Sequence, residues 1–162
     1  MTLPEPTSAR PRFPPGYGIA ADAGGMVPWS WAAERLAAGR NFWVATTRPD
    51  GRPHAMPVWG VWLDDGAYFG TSPQSRKARN LARDPRVVVH LESGDDVVIL
   101  EGEIEQVALD DRIADAFQAK YDWRPEAQEG DGGWYRLRPA VAYAWMEHDY
   151  PKSATRFAFD RA

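Results

Sequence analysis

The chain contains no cysteine, which removes thiol nucleophiles, disulfides, zinc–thiolate centres and iron–sulfur clusters together and fits a reducing compartment. No run of apolar residues approaches the roughly 18 that a membrane helix needs. The opening MTLPEPTSARPRFPP has no apolar stretch of the kind a secretory signal carries, so a cytoplasmic protein is expected. A basic excess is also missing: 19 Lys and Arg against 23 Asp and Glu give a net charge of −4. That balance argues against a protein that coats nucleic acid or an anionic membrane. The motifs G-x-S-x-G, P-loop and G-x-G-x-x-G are absent, so acyl hydrolysis and Rossmann dinucleotide binding lack local support. The three histidines, His54, His90 and His148, show no i, i+4 spacing, and no metal site is expected.

What is present is enough large apolar surface for one folded domain. The 162 residues include eight Trp, six Tyr and six Phe, and a chain of this length buries roughly 68–70% of its unfolded surface without staples. Six of the 14 prolines fall within residues 1–28. Proline cannot donate to a ladder or a helix, so 1–28 is expected to be an arm outside the sheet. It is either loose or pinned to a neighbouring subunit through Phe13 and Tyr17, and removing residues 1–15 is expected to leave the fold intact.

The domain proper is expected over 29–162. Trp29, Ala32, Ala33 and Leu36 follow Pro28 at helical spacing, and Gly39 stops that helix. From residue 42 the texture becomes short β-rich runs between turn residues. Strands are expected over 42–47, 53–63, 67–71, 87–92, 97–107, 134–137, 141–146 and 155–159. Arg48-Pro49-Asp50-Gly51 reads as a type I turn. In 97–107, Val98, Leu100 and Ile104 share one face while Glu101, Glu103 and Glu105 share the wet one. Helices are expected over 75–83, started by Ser75 and stopped at Asp84-Pro85, and over 110–121. About eight strands, mostly in hairpins, close most naturally into an antiparallel barrel with attached helices, an α+β architecture.

Two stretches carry chemistry. Gly70-Thr71-Ser72-Pro73-Gln74-Ser75-Arg76-Lys77 joins a strand to a helix. It brings three hydroxyls, unpaired first-turn N–H groups and two cations to the positive end of a helix dipole, which is an anion site. A solvated basic helix is the alternative. The strand Pro53-His54-Ala55-Met56-Pro57-Val58-Trp59-Gly60-Val61-Trp62 contains two prolines. It suits an edge, a bulge or a place where a planar ligand lies against the backbone; aromatic packing is the alternative for its tryptophans.

The ordered series 45–54 (Ala45-Thr46-Thr47-Arg48-Pro49-Asp50-Gly51-Arg52-Pro53-His54), Pro57-Val58-Trp59, Ser75-Arg76-Lys77-Ala78-Arg79-Asn80-Leu81, Asp84-Pro85-Arg86-Val87 and Glu101-Gly102 resembles the pyridoxamine 5′-phosphate oxidase-like split-barrel family over about residues 31–146. The resemblance implies an antiparallel split β-barrel that forms a homodimer and holds FMN or coenzyme F-420 across the subunit interface, with the F-420 branch the nearer. It implies a phosphate grip of Thr71, Ser72, Ser75, Arg76, Lys77 and Asn80, and a ring-facing strand of His54, Pro57, Val58 and Trp59. An oxidoreductase passing hydride between the cofactor and a small unsaturated substrate follows, with His54 and Tyr143 as candidate proton donors. A non-catalytic flavin carrier and a haem-binding barrel with His90 or His148 as axial ligand are the rival readings. The ending departs from the oxidase pattern: Arg136-Leu137-Arg138-Pro139 runs on through Ala140–Met146.

Overall fold

A computed structural model describes residues 3–63, 65–126 and 133–160. Eight strands form one antiparallel sheet: β1 (Thr7–Ala9), β2 (Asn41–Thr47), β3 (Pro53–Leu63), β4 (Gly66–Gly70), β5 (Arg86–Leu91), β6 (Asp96–Val107), β7 (Trp134–Met146) and β8 (Thr155–Ala158). Their order is β1-β8-β7-β4-β3-β2-β5-β6, and a further β7–β6 pairing closes six of them into a barrel. Closure satisfies edges that eight open strands would leave to other chains.

The turn residues account for the hairpins. Gly51 N–H donates to Arg48 O at 2.9 Å, and Gly51 takes φ 83°, the left-handed region that favours glycine. Between 101 and 102 the β6–β7 register shifts: Glu101 faces Val141 while Gly102 faces Pro139. Ala140 is therefore an extra residue in β7, and this bulge carries the ladder past a proline that cannot donate. For that reason 134–146 is one continuous strand where the sequence suggests two.

Four helices attach to this frame. In α1 (Trp29–Ala38), Ala32 and Leu36 are fully buried. They join Phe42, Val44, Val89, Leu100, Leu137 and Phe157 in the barrel interior. Helix α3 (Asp111–Tyr121) packs Ile113 and Phe117 on the outside of the barrel against Val61, Tyr68 and Trp134, forming a second, smaller core. Helix α2 (Arg76–Arg83) buries Ala78, Asn80 and Leu81. A 3-10 turn at Glu147–Asp149 and a single turn, α4 (Tyr150–Ser153), lead into β8.

The arm corrects the sequence reading. Thr7, Ser8 and Ala9, between the prolines, pair with Ala158, Phe157 and Arg156, because a three-residue edge needs few donors. Pro6 and Pro11 are buried beside it. Arg10 reaches back to the carbonyls of Asp22 (2.8 Å), Gly24 (2.8 Å), Ala154 (3.1 Å) and Lys152. One guanidinium thus caps carbonyls from the arm's own loop and from the α4–β8 turn. Phe13 and Tyr17 stack on each other at 5.4 Å, and Phe13 meets Tyr150 edge-on at 5.9 Å within the same chain.

Candidate functional site

The barrel wall has a gap. β3 pairs with β2 over Pro53–Trp59, but with β4 only over Gly60–Leu63, so its 53–59 half has no strand on the other side. The prolines permit this. Pro57 lacks an N–H, so it passes the β2 ladder only where no donor is required, which turns its nitrogen toward the uncovered edge. Where β4 ends at Gly70 the chain leaves the sheet through 71–75 and enters α2, whose first turn stands beside that edge.

Ser75 caps α2, its Oγ accepting from Ala78 N–H at 3.1 Å. The same Oγ accepts from Thr71 Oγ1 at 3.2 Å, and Lys77 Nζ donates to Thr71 Oγ1 at 3.1 Å. Ser72 Oγ accepts from Gln74 N–H at 3.2 Å, and its carbonyl accepts from Ser75 N–H at 2.9 Å. Lys77 is half-buried, and burial pushes its ammonium below the ordinary lysine range. No ion pair to Arg48, Arg76, Lys77, Arg79 or Arg83 occurs among the described residues, whereas Arg52 and Arg86 in the flanking turns are neutralised by Asp50 and Asp84 at 2.8 and 2.7 Å. The α2 end is a local positive field in an acidic chain.

Beside it lies a cleft of about 490 Å³ lined by Val58, Trp59, Thr71, Ser72, Phe117 and Trp134, among others. Among the described residues none of those lining it is charged. Trp59 stacks on Tyr121 at 4.6 Å, and Phe117 meets Trp134 edge-on at 5.1 Å. Tyr121 Oη holds that wall to the barrel: it accepts from Gly60 N–H at 2.8 Å and lies 2.6 Å from Arg40 O. The hydroxyl fills the place where the β2–β3 ladder runs out. Lys120 Nζ donates to Gly60 O at 2.8 Å, and burial holds its pKa down to about 8.

The residues singled out in the sequence divide accordingly. Thr71, Ser75 and Lys77 are joined by hydrogen bonds, while Val58, Trp59, Thr71 and Ser72 line one cleft. Arg76 is exposed on the first turn of α2. Pro57 sits opposite Trp43. His54 sits opposite Thr46 and under the charges of Arg48, Lys77 and Arg76. Asn80 is 1% exposed: it gives Nδ2 to Thr46 Oγ1 at 3.0 Å, which holds α2 against β2, and its Oδ1 is buried with no hydrogen-bond partner among the described residues. Tyr143 stands on β7 opposite Ile99 and Arg156, away from the cleft's lining. His148 is exposed on the 3-10 turn. His90 is half-buried, parallel to Trp43 at 6.3 Å, with Nδ1 2.7 Å from Leu91 O. The sequence reading did not single out Tyr121, Trp123 or Trp134. Their only signal was aromatic content near the end of α3 and the start of β7.

The fold and this arrangement define a class, the antiparallel split barrel with a helix N-terminus at the gap. Residues 32–146 match the profile of the pyridoxamine 5′-phosphate oxidase family, and the chain belongs to that family. No curated protein matches. Among solved structures, a conserved hypothetical protein from Mycobacterium tuberculosis is 24% identical with TM-score 0.62, over 79% of this chain and 89% of that one. An F420 reductase is 22% identical with TM-score 0.52, over 67% and 94%. A heme binding protein from Mycobacterium smegmatis is 24% identical with TM-score 0.54, over 78% of this chain and 55% of that one. At these identities the likeness is one of fold. No helix among the described residues is long and apolar enough to cross a membrane.

Proposed function

We propose that this protein binds a phosphorylated flavin or deazaflavin, FMN or coenzyme F-420, and passes hydride between it and a small unsaturated substrate. The observation that carries the reading is the convergence of Lys77, Thr71 and Ser75 at the start of α2, directly beside an aromatic cleft. The residues fit such a group. A half-buried ammonium without a carboxylate partner among the described residues, the hydroxyl protons of Ser72 and Ser75 and the helix dipole suit a phosphate. The open edge of β3 and the Trp59 wall suit a planar ring.

The bound cofactor would supply the redox chemistry. The chain's own residues would anchor it through Lys77 and the hydroxyls, fix the ring's plane by contact with Val58 and Trp59, and exclude water with Phe117 and Trp134. A homodimer belongs to this reading. Pro57, Trp43, His90, Ile99 and Tyr143 lie in register across β3-β2-β5-β6-β7, a broad face on the outside of the barrel that a second copy would cover. Sedimentation showing only an 18 kDa species at micromolar concentration would remove that part.

The test is absorbance of the protein as isolated and on titration with FMN and with F-420, followed by turnover of the reduced cofactor. Saturable binding with turnover supports the oxidoreductase, and binding without turnover a carrier. A second reading, haem binding, is favoured by His90: with Nδ1 occupied by Leu91 O, Nε2 is left as the ligating nitrogen. A Soret band on adding haem, lost in His90→Ala, would replace the flavin reading.

A further inference from the structure

His54 has a setting that the anion site alone does not require. It stands across the β2–β3 ladder from Thr46. Thr46 Oγ1 accepts from Asn80 Nδ2 at 3.0 Å and lies 3.5 Å from both His54 Nδ1 and His54 O. Thr46 is 4% and Asn80 1% exposed, so water does not replace these partners. Having accepted from Asn80, the hydroxyl has one proton left and two places to put it. With a neutral imidazole, Thr46 O–H points to Nδ1 and the ring proton sits on Nε2. With a charged one, Nδ1–H points to Thr46 Oγ1 and the hydroxyl proton turns to His54 O. The same heavy atoms serve both protonation states with one hydroxyl rotation.

The charges acting most on this ring are all positive: Arg48 from the β2–β3 turn, and Lys77 and Arg76 from α2. The carboxylate in that turn, Asp50, is tied to Arg52 at 2.8 Å. Burial, and after it these three cations, hold the imidazole below the ordinary histidine range. A dianion held by Lys77 and Arg76 offsets their two charges at the ring and leaves only Arg48 of the three opposing a proton there, whereas a single negative charge offsets half as much.

Resting on the anion-site reading above, we infer that His54 is the proton-linked member of that site: neutral when the α2 end is empty, it takes one proton from solvent when a doubly charged phosphate monoester settles there. The balance is one neutral histidine, one dianion and one proton giving an imidazolium facing a bound dianion. Such a site favours a terminal phosphate monoester over a phosphodiester, whose single charge draws the proton less strongly. Hydroxyl rotation lets the protein accept that proton without moving its backbone.

The test follows the His54 Cε1–H resonance by NMR through a pH titration of the full chain, alone, with inorganic phosphate, and with dimethyl phosphate as the diester. With inorganic phosphate the midpoint should rise toward the ordinary histidine range; with dimethyl phosphate it should rise by less. Lys77→Ala should abolish both changes. If phosphate binds in a Lys77-dependent manner, seen as line shifts in α2, and the His54 midpoint stays where it was, the proton linkage is wrong and the anion site survives. If Lys77→Ala leaves phosphate binding unchanged, or phosphate does not bind, the anion-site reading fails and takes this inference with it. Equal shifts with both phosphates would overturn the preference for a monoester.

Discussion

Replacing Lys77 by alanine separates an anion site from a merely basic surface. In the free protein the amine's hydrogen bond among the described residues is to Thr71 Oγ1 at 3.1 Å. Its loss costs about 1 kcal/mol, offset by removing a desolvated charge from the first turn of a helix, where a cation opposes the dipole by a few tenths of a kcal/mol. The melting temperature without cofactor should therefore stay within about 2 °C of the parent. With a phosphate bound, the same amine makes a charge-assisted bond worth roughly 1.5–3 kcal/mol, so cofactor affinity should fall by about 10- to 100-fold. Flavin fluorescence titration reads the affinity and a thermal melt reads the fold. Arg83→Ala is the control: Arg83 is in the last turn of α2, bonded to Arg48 O at 3.0 Å, and solvent screening should confine its effect to about twofold. Equal losses from the two substitutions would mean a diffuse basic face and refute the reasoning.

The ion cluster under α3 sets acid stability. Asp65 is 4% exposed and accepts from Arg112 at 2.8 Å, Arg136 at 2.9 Å and Tyr68 at 2.8 Å. Burial alone would raise its pKa, but these donors outweigh it and the net shift is downward. Its contribution is thus full above the ordinary aspartate range and lost as pH falls through the lowered value. Asp65→Asn should cost about 2–3 kcal/mol at pH 7, discounted for the half-exposed Arg112, and shrink the stability lost between pH 4 and acid unfolding followed by circular dichroism; an unchanged acid limb would show the cluster to be passive. Arg10→Ala should free the arm, with trypsin cutting near Arg12 faster than in the parent while cofactor affinity is unchanged. Equal cleavage rates would show that β1 pairing alone holds the segment.

How much of this was legible in the sequence depended on whether the signal was local. Ser75 as a cap, Asp84-Pro85 as a stop and Arg48-Pro49-Asp50-Gly51 as a turn act within four residues, and all three appear where the sequence puts them. The alternation of β6 also survives, Val98, Leu100 and Ile104 inward and the glutamates outward. Pairing partners chosen at a distance were not readable. β1 exists because β8 offers an edge across the whole chain, and no pattern in Thr7-Ser8-Ala9 announces it. Asn80 has the spacing of a ligand residue, yet the packing of α2 on β2 turns its amide toward Thr46. Tyr121 looks like one more apolar residue of an amphipathic helix. Its role as a hydroxyl wedge between Arg40 and Gly60 exists only once the end of β3 is in place.

The central claim is positional: a phosphate at the start of α2 and a planar ring along the open edge of β3. A crystal structure with FMN or F-420 bound tests it most directly. The account predicts the phosphate within hydrogen-bond reach of Lys77 Nζ and the Ser75 and Thr71 hydroxyls, with the ring against Val58 and Trp59. A cofactor lying instead on the outer face beside His90 and Tyr143, with the α2 end untouched, would contradict it.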